Sequence, residues 1–176
     1  MDREQALEAV LEGIREGSQS DFAKRAFLEM LRLLPPVPHV PGKEVFFELA
    51  RKGVLLAVEL VLVRDGQVYL THREDEFFTG WHLPGTYREP RASLLMDAKR
   101  CAAKELGAHV AITKARKIGF EEHPDSDRFH DGGILTLCTF KGEPENGQWF
   151  RECPPDLIRV HRKYWPTVEL ALRGDI

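Results

Sequence analysis

The feature that most restricts this chain is one acidic residue inside an apolar strand. Residues 54–63, VLLAVELVLV, form a nearly continuous apolar run interrupted only by Glu59. Arg64-Asp65-Gly66 is a turn signal, and residues 67–73, QVYLTHR, read as the returning strand of a hairpin. An unpaired carboxylate in apolar surroundings is costly. Glu59 is therefore expected to face a polar cavity or a partner.

The 176 residues provide one domain of ordinary size plus an appendage. The appendage precedes the hairpin. Residues 2–16 carry Ala6, Leu7, Val10, Leu11 and Ile14 at helical spacing, and a break follows at GSQS, 17–20. Ser20 or Asp21 can cap a second helix to about Leu34, with Phe22, Ala26, Phe27, Met30 and Leu34 along one stripe. The segment PPVPHVPG, 35–42, cannot continue a helix because proline lacks the amide donor, and it reads as a linker. The expected division is a helical extension with a proline-rich linker over 1–40 and a main domain over 41–176. Two amphipathic helices ahead of a linker also suggest a homodimer interface.

After the hairpin a long loop leads to WHLPGTYREPRA, and Ser93 stands at the N-cap of a helix to about Leu106, closed by Gly107. Strands are expected over 109–120, 133–141 and 148–150, and a closing helix over 154–172 broken at Pro166. Strands, a central helix, more strands and a final helix make an α/β (α+β) sandwich.

Composition narrows the partners. Hydrophobic residues make up 43% of the chain and charged residues 30%, which fits a soluble globular protein. The formal net charge of −3 argues against a nucleic-acid partner and leaves room for a local basic pocket. Cys101, Cys138 and Cys153 show no metal or redox spacing, so reduced, packed thiols and a cytoplasmic location are expected. No apolar run approaches the ~20 residues of a membrane span, and the charged start MDREQALEAV has no signal core.

Trp81 to Gly107 resembles the Nudix box. The box has a glycine, a glutamate, and then Arg-Glu-U-x-Glu-Glu-x-Gly-U, with U apolar. Aligned without gaps on Arg100 and Gly107, Thr86 takes the glycine position and Ala92 the first glutamate. Cys101 and Lys104 stand where glutamates are usual, while Glu105, Gly107 and Ala108 match. The preceding Trp81-x-x-Pro84-Gly85 and the Ser93 after the first-glutamate position are also characteristic. The resemblance implies a Nudix α/β/α sandwich with a mixed sheet. Acids at i, i+3 and i+4 of the helix would hold several Mg²⁺ or Mn²⁺ ions against a pyrophosphate. One acid of that trio remains, which points to a single ion at Glu105, with the Gly85 carbonyl, ligand phosphate and water.

The segment Arg100-Cys101-Ala102-Ala103-Lys104-Glu105-Leu106-Gly107 is most similar to the GDP-mannose mannosyl hydrolase branch. That likeness implies a nucleotide-sugar substrate, with Arg73 of the pair His72-Arg73 on the diphosphate and Glu59 near the sugar or base. It also implies an active-site role for His123, sixteen residues after Gly107. Arg100 and Lys104 are further candidates for ligand contact, although bracing of the loop and surface exposure are their competing readings. The branch's late metal ligand and general base fall, counting back from Trp149, on Glu143 and Pro144. Proline cannot accept a proton, so Glu143 is expected as a metal ligand, and Glu145 as base if its loop turns inward. The resemblance thus implies a hydrolase of a nucleoside diphosphate derivative; the alternative is a Nudix-fold binding module that has lost catalysis.

Overall fold

The computed structural model describes residues 5, 8, 11–13 and 21–176. Residues 5, 8 and 11–13 are helical. The rest of the helix expected over 2–16, the break at 17–20, the Ser20 cap and the Phe22 side chain lie outside the described residues. Helix α1 spans Asp21–Leu33 and stops before Pro35 and Pro36. Its Leu28, Met30, Leu31 and Leu33 are exposed.

The proline-rich stretch holds more structure than a linker. Val37–His39 forms a 3-10 turn, and helix α2 spans Lys43–Ala50. Helix α2 turns Phe46 and Phe47 onto a ring cluster with Tyr87, Phe77 and Phe129.

The strands are β1 (Leu55–Arg64), β2 (Gln67–Glu74), β3 (Thr79–His82), β4 (Gly85–Tyr87), β5 (Ala111–His123), β6 (Asp131–Lys141) and β7 (Gly147–Phe150). They form one mixed sheet in the order β3-β2-β1-β6-β5, with β4 paired to β1 and β7 to β2. β1 runs parallel to β6 over its first eight residues, Leu55 to Leu62. On its other edge it pairs with β4 from Ala57 to Glu59 and with β2 only at Val63 and Arg64. β1 thus changes partner just beyond Glu59, and the Leu60 N–H donates to the Pro84 carbonyl at 2.8 Å.

The period-2 alternation of β1 divides the core into two layers. Val58, Leu60 and Leu62 pack with Ala98, Cys101, Ala102 and Leu106 of the segment beginning with helix α3 (Leu94–Glu105). Val61 faces the other way, toward Leu83, Leu135, Tyr164, Trp165 and Val168. Those last residues belong to the C-terminal region, where helices α4 (Arg159–Arg162) and α5 (Trp165–Arg173) replace the expected single helix. Pro166 does not break a helix there. It sits in the first turn of α5, where its missing donor has no intrahelical partner to lose.

The Ser93 side chain caps α3 by accepting from the Met96 N–H at 3.2 Å, and Gly107, at φ 100°, ends the segment in a conformation that favours glycine. The loop between β4 and α3 is tied to the helix through fully buried Asp97. Arg88 Nε donates to Asp97 Oδ2 at 2.9 Å, Arg100 Nη2 to Oδ1 at 2.9 Å, and the Glu89 N–H to Oδ1 at 3.3 Å. Burial alone would push the Asp97 carboxyl up, but these donors outweigh it and hold it below the ordinary value. Replacing Asp97 with Ala leaves these donors unmatched. The expected loss is about 2–3 kcal/mol, seen as a lower urea midpoint; an unchanged midpoint would remove Asp97 as the anchor of this loop.

Candidate active site

The partner switch of β1 opens a cavity of about 420 Å³. Glu59 reaches it from the sheet, Gly85 and Thr86 from β4, Lys104 and Glu105 from the end of α3, and Arg73 from β2. His123 and Asp131 come from the facing ends of β5 and β6, Arg128 from the loop between them, and His161 from α4.

Two glycines admit the Glu59 side chain. A Cβ on Gly85 would stand 2.2 Å from Glu59 Oε2. A Cβ on Gly133 would stand 3.0 Å from Glu59 Cγ and 1.8 Å from the Tyr164 hydroxyl oxygen. Glu59 is buried, and among the described residues its Oε2 has no hydrogen-bond partner. Burial pushes its carboxyl well above the ordinary range, and the neighbouring Glu105 and Asp131 carboxyls push it further. Glu105 is also raised by burial, although the Gly85 N–H donates to its Oε2 at 3.2 Å. Two carboxylates therefore flank one glycine, each with a higher proton affinity than an exposed acid has. That donor set fits one hard divalent cation, because Mg²⁺ is commonly held by one or two carboxylates with phosphate and water. Among the described residues, no three His, Cys, Asp or Glu side chains form a metal cluster.

The imidazoles are ordered by their partners. The Leu83 N–H donates to His161 Nδ1 at 3.0 Å, so neutral His161 carries its proton on Nε2, which lies 4.0 Å from Glu59 Oε2. His82 Nδ1–H donates to the Leu83 carbonyl at 2.8 Å, which leaves Nε2 to accept from the Thr71 hydroxyl at 3.2 Å. His123 Nδ1–H donates to Asp131 Oδ1 at 3.1 Å, and the Tyr87 hydroxyl donates to Asp131 Oδ2 at 3.2 Å. His123 Nε2 is left with a free lone pair and no partner among the described residues. A carboxylate that orients an imidazole whose second nitrogen is free is an arrangement suited to a general base.

The structure brings together Glu59, Arg73, Gly85, Lys104, Glu105 and His123 on this cavity. It does not bring in Arg100, Glu143 or Glu145. Arg100 braces the loop, donating to Thr86 Oγ1 at 2.9 Å and to the Tyr87 carbonyl at 2.6 Å, and pairing with Glu89 at 2.9 Å. Glu143, expected as a metal ligand, is exposed and forms an ion pair with Arg64. Glu145, expected as a base, lies by His109 at 3.6 Å, and its N–H donates to the Leu106 carbonyl at 2.9 Å. Arg64 and His109 hold these two side chains, while Asn146 of the same loop lines the cavity. Cys101, in a glutamate position of the box, packs in the core under β1.

The sequence does not single out Arg128, His161 or Tyr164, and it offers Asp131 either as part of a metal cluster with Asp125, Asp127 and His130 or, as the safer reading, as part of an irregular acidic loop. Asp131 and Arg128 sit in a segment that reads as an acidic surface loop, yet Asp131 is buried where β6 begins beside β1. His161 and Tyr164 hide in a basic helical stretch. The usable signal for Asp131 was its place at the head of the apolar strand GGILTLC.

No family model matches the chain, and no curated protein does. Solved structures do. A MutT Nudix hydrolase from Burkholderia pseudomallei is 24% identical, with a TM-score of 0.56 over 66% of this chain and 97% of that one. The Nudix domain of Shewanella oneidensis NrtR, solved with ADP-ribose, is 19% identical, with a TM-score of 0.52 over 70% of this chain and 92% of that one. The chain has the Nudix fold. No helix among the described residues is long and apolar enough to cross a membrane.

The buried imidazoles of this Nudix fold give stability a pH dependence. Burial, with Arg73 nearby, lowers His82 to about 4, and burial lowers His161 well below its ordinary value. An unfolded imidazole takes up its proton near pH ~6.5. Between that value and the folded one, the unfolded chain binds more protons, so acid favours unfolding. Stability present above the unfolded value is lost as pH falls. His82 alone accounts for about 2 kcal/mol between pH 7 and pH 5, with His161 adding in the same direction. Urea unfolding at the two pH values should show this loss, and His82→Gln should reduce it. An equal loss in both proteins would remove His82 as the cause.

Proposed function

We propose that the chain is a divalent-cation-dependent hydrolase of a nucleoside diphosphate derivative, with a nucleotide sugar as its substrate class. The observation that carries this reading is the single cavity that gathers Glu59 and Glu105 around Gly85 together with the cations Arg73, Lys104 and Arg128. The carboxylates suit a hard cation, and the cationic side chains suit a diphosphate. The ADP-ribose held by the Nudix domain from Shewanella oneidensis supports a ligand of this class.

Glu59 and Glu105 would hold one Mg²⁺ or Mn²⁺. Such an ion supplies Lewis-acid polarisation and charge neutralisation at phosphate oxygens. Arg73, Lys104 and Arg128 bind the diphosphate and offset the charge that develops on it as a leaving group. His123, oriented by Asp131, takes a proton from the attacking water at Nε2. The box resemblance favours attack of that water on the sugar C1, so that the bond from C1 to the diphosphate oxygen breaks and the nucleoside diphosphate leaves. The more usual Nudix outcome, attack at phosphorus, gives sugar phosphate and nucleoside monophosphate.

A second reading, a binding module without turnover, draws on α3. Cys101 is buried in the core and Lys104 lines the cavity, so this helix brings one carboxylate to the site. One experiment separates the readings. A nucleotide-sugar panel is incubated with Mg²⁺ or Mn²⁺, and products are resolved for wild type, Glu105→Gln and His123→Gln. Metal-dependent turnover is expected, with kcat/KM reduced about 10²-fold or more in each variant. An active wild type matched by Glu105→Gln would sink the metal role. Thermal stabilisation by the panel without any turnover would favour the binding module.

A further inference from the structure

The cavity does not end at its carboxylates. It adjoins a second chamber of about 550 Å³, and the two share Arg73, Thr86, Tyr87, Lys104 and Arg128. The cationic side chains thus form the common wall. Beyond it the chemistry changes. Phe46 and Phe47 of α2 and Phe77 of the β2–β3 loop line the second chamber while each is only half-buried. Phe47 and Phe77 have ring centroids 5.4 Å apart. An ion pair at 2.7 Å between Lys43 of α2 and Glu76 of the loop joins the two walls.

We propose that this second chamber binds the nucleobase of the ligand, so that α2, which precedes the sheet, is part of the substrate site. The inference rests on the function proposed above and adds the orientation of the molecule. The diphosphate lies along the shared cationic wall. The reacting sugar end faces Glu59, Glu105 and His123, and the planar base packs among the phenylalanines. Aromatic rings accept any base by its π-face, and Phe46, Phe47 and Phe77 line the chamber half-buried, with the Lys43 and Arg51 cations each 5.8 Å from the Phe47 ring centroid. A purely polar ligand end would leave those rings wet.

The test is calorimetric titration of the full chain in Mg²⁺ with inorganic pyrophosphate, ADP, GDP and UDP. Wild type, Phe47→Ala, Phe77→Ala and Phe47→Tyr are compared. At least one nucleotide is expected to bind more tightly than pyrophosphate. The two alanine variants should weaken it about tenfold, as loss of one stacked base does, and Phe47→Tyr should retain it. Pyrophosphate affinity should stay within about twofold throughout, which also shows that each variant is folded. Nucleotides no tighter than pyrophosphate, or alanine variants that leave nucleotide affinity unchanged or weaken both probes equally, would overturn the base subsite and leave the phosphate site standing. A wild type that binds none of the four would overturn the proposed function itself, and the subsite with it.

Discussion

The cost of placing one carboxylate in an apolar strand organises this molecule. Glu59 lies between Val58 and Leu60, both fully buried against α3, and the alternation of β1 sends its own side chain to the opposite face. Among the described residues no hydrogen bond meets its Oε2: His161 Nε2 is 4.0 Å away, and the nearest carboxyls raise its proton affinity further against the opposing pull of Arg128 and Arg73. Such a group persists only where the surroundings leave room for it. That room is made by glycines at 85 and 133, where any Cβ would collide with Glu59 or Tyr164, and by the change of strand partner just beyond it. The cavity is a consequence of housing the acid.

The same burial favours the neutral form of His82 and His161. One peptide unit, Leu83, sets two tautomers at once: its N–H donates to His161 and its carbonyl accepts from His82. Since Leu83 is itself buried in the core beside Val61 and Tyr164, the packing of the C-terminal helices reaches the polar site through that backbone. Asp131 plays the matching part for His123, and it is anchored in turn by the Tyr87 hydroxyl and by Arg128 at 3.7 Å. His82 and His161 are thus oriented from the core, and His123 from within the cavity itself.

Local signals were legible in the chain and non-local ones were not. The apolar run, the Arg64-Asp65-Gly66 turn, the Ser93 cap and the Gly107 stop each declare themselves within a few residues, and each stands where it was expected, within a residue or two. Strands β3 and β4 passed for a loop because three or four residues carry no period, and their pairing depends on β2 and β1. Helix α2 was overlooked for a similar reason, lying close behind a proline-rich run. Of the residues lining the cavity, Lys104 and Glu105 are read from the box, Glu59 from the interruption of its apolar strand, and Arg73 and His123 from the likeness to the mannosyl hydrolase branch. Glu143 and Glu145 were placed by counting back from Trp149, and counting cannot see that Arg64 and His109 hold them on the outer surface. Arg128 was passed over and Asp131 was assigned to an irregular acidic loop because the charges around them are those of a solvated loop, whereas the parallel pairing of β6 to β1 sets Asp131 beside Leu55 and buries it.

Charge balance links the proposed metal to the proposed ligand. Glu59, Glu105 and Asp131 face Arg73, Lys104 and Arg128 in the cavity, three acids against three cations. A bare diphosphate entering this space would bring its charge toward two raised carboxyls. A bare divalent cation would meet three positive side chains. Together, the anion and the cation approach neutrality, and each then finds the complementary half of the wall. Where burial makes unscreened charge costly, that mutual compensation would make the proposed ion and the proposed diphosphate cooperative ligands. It also gives a physical reason for α3 to carry Lys104 next to Glu105: with one acid left for the metal, the adjacent position on the helix is free to serve the phosphate.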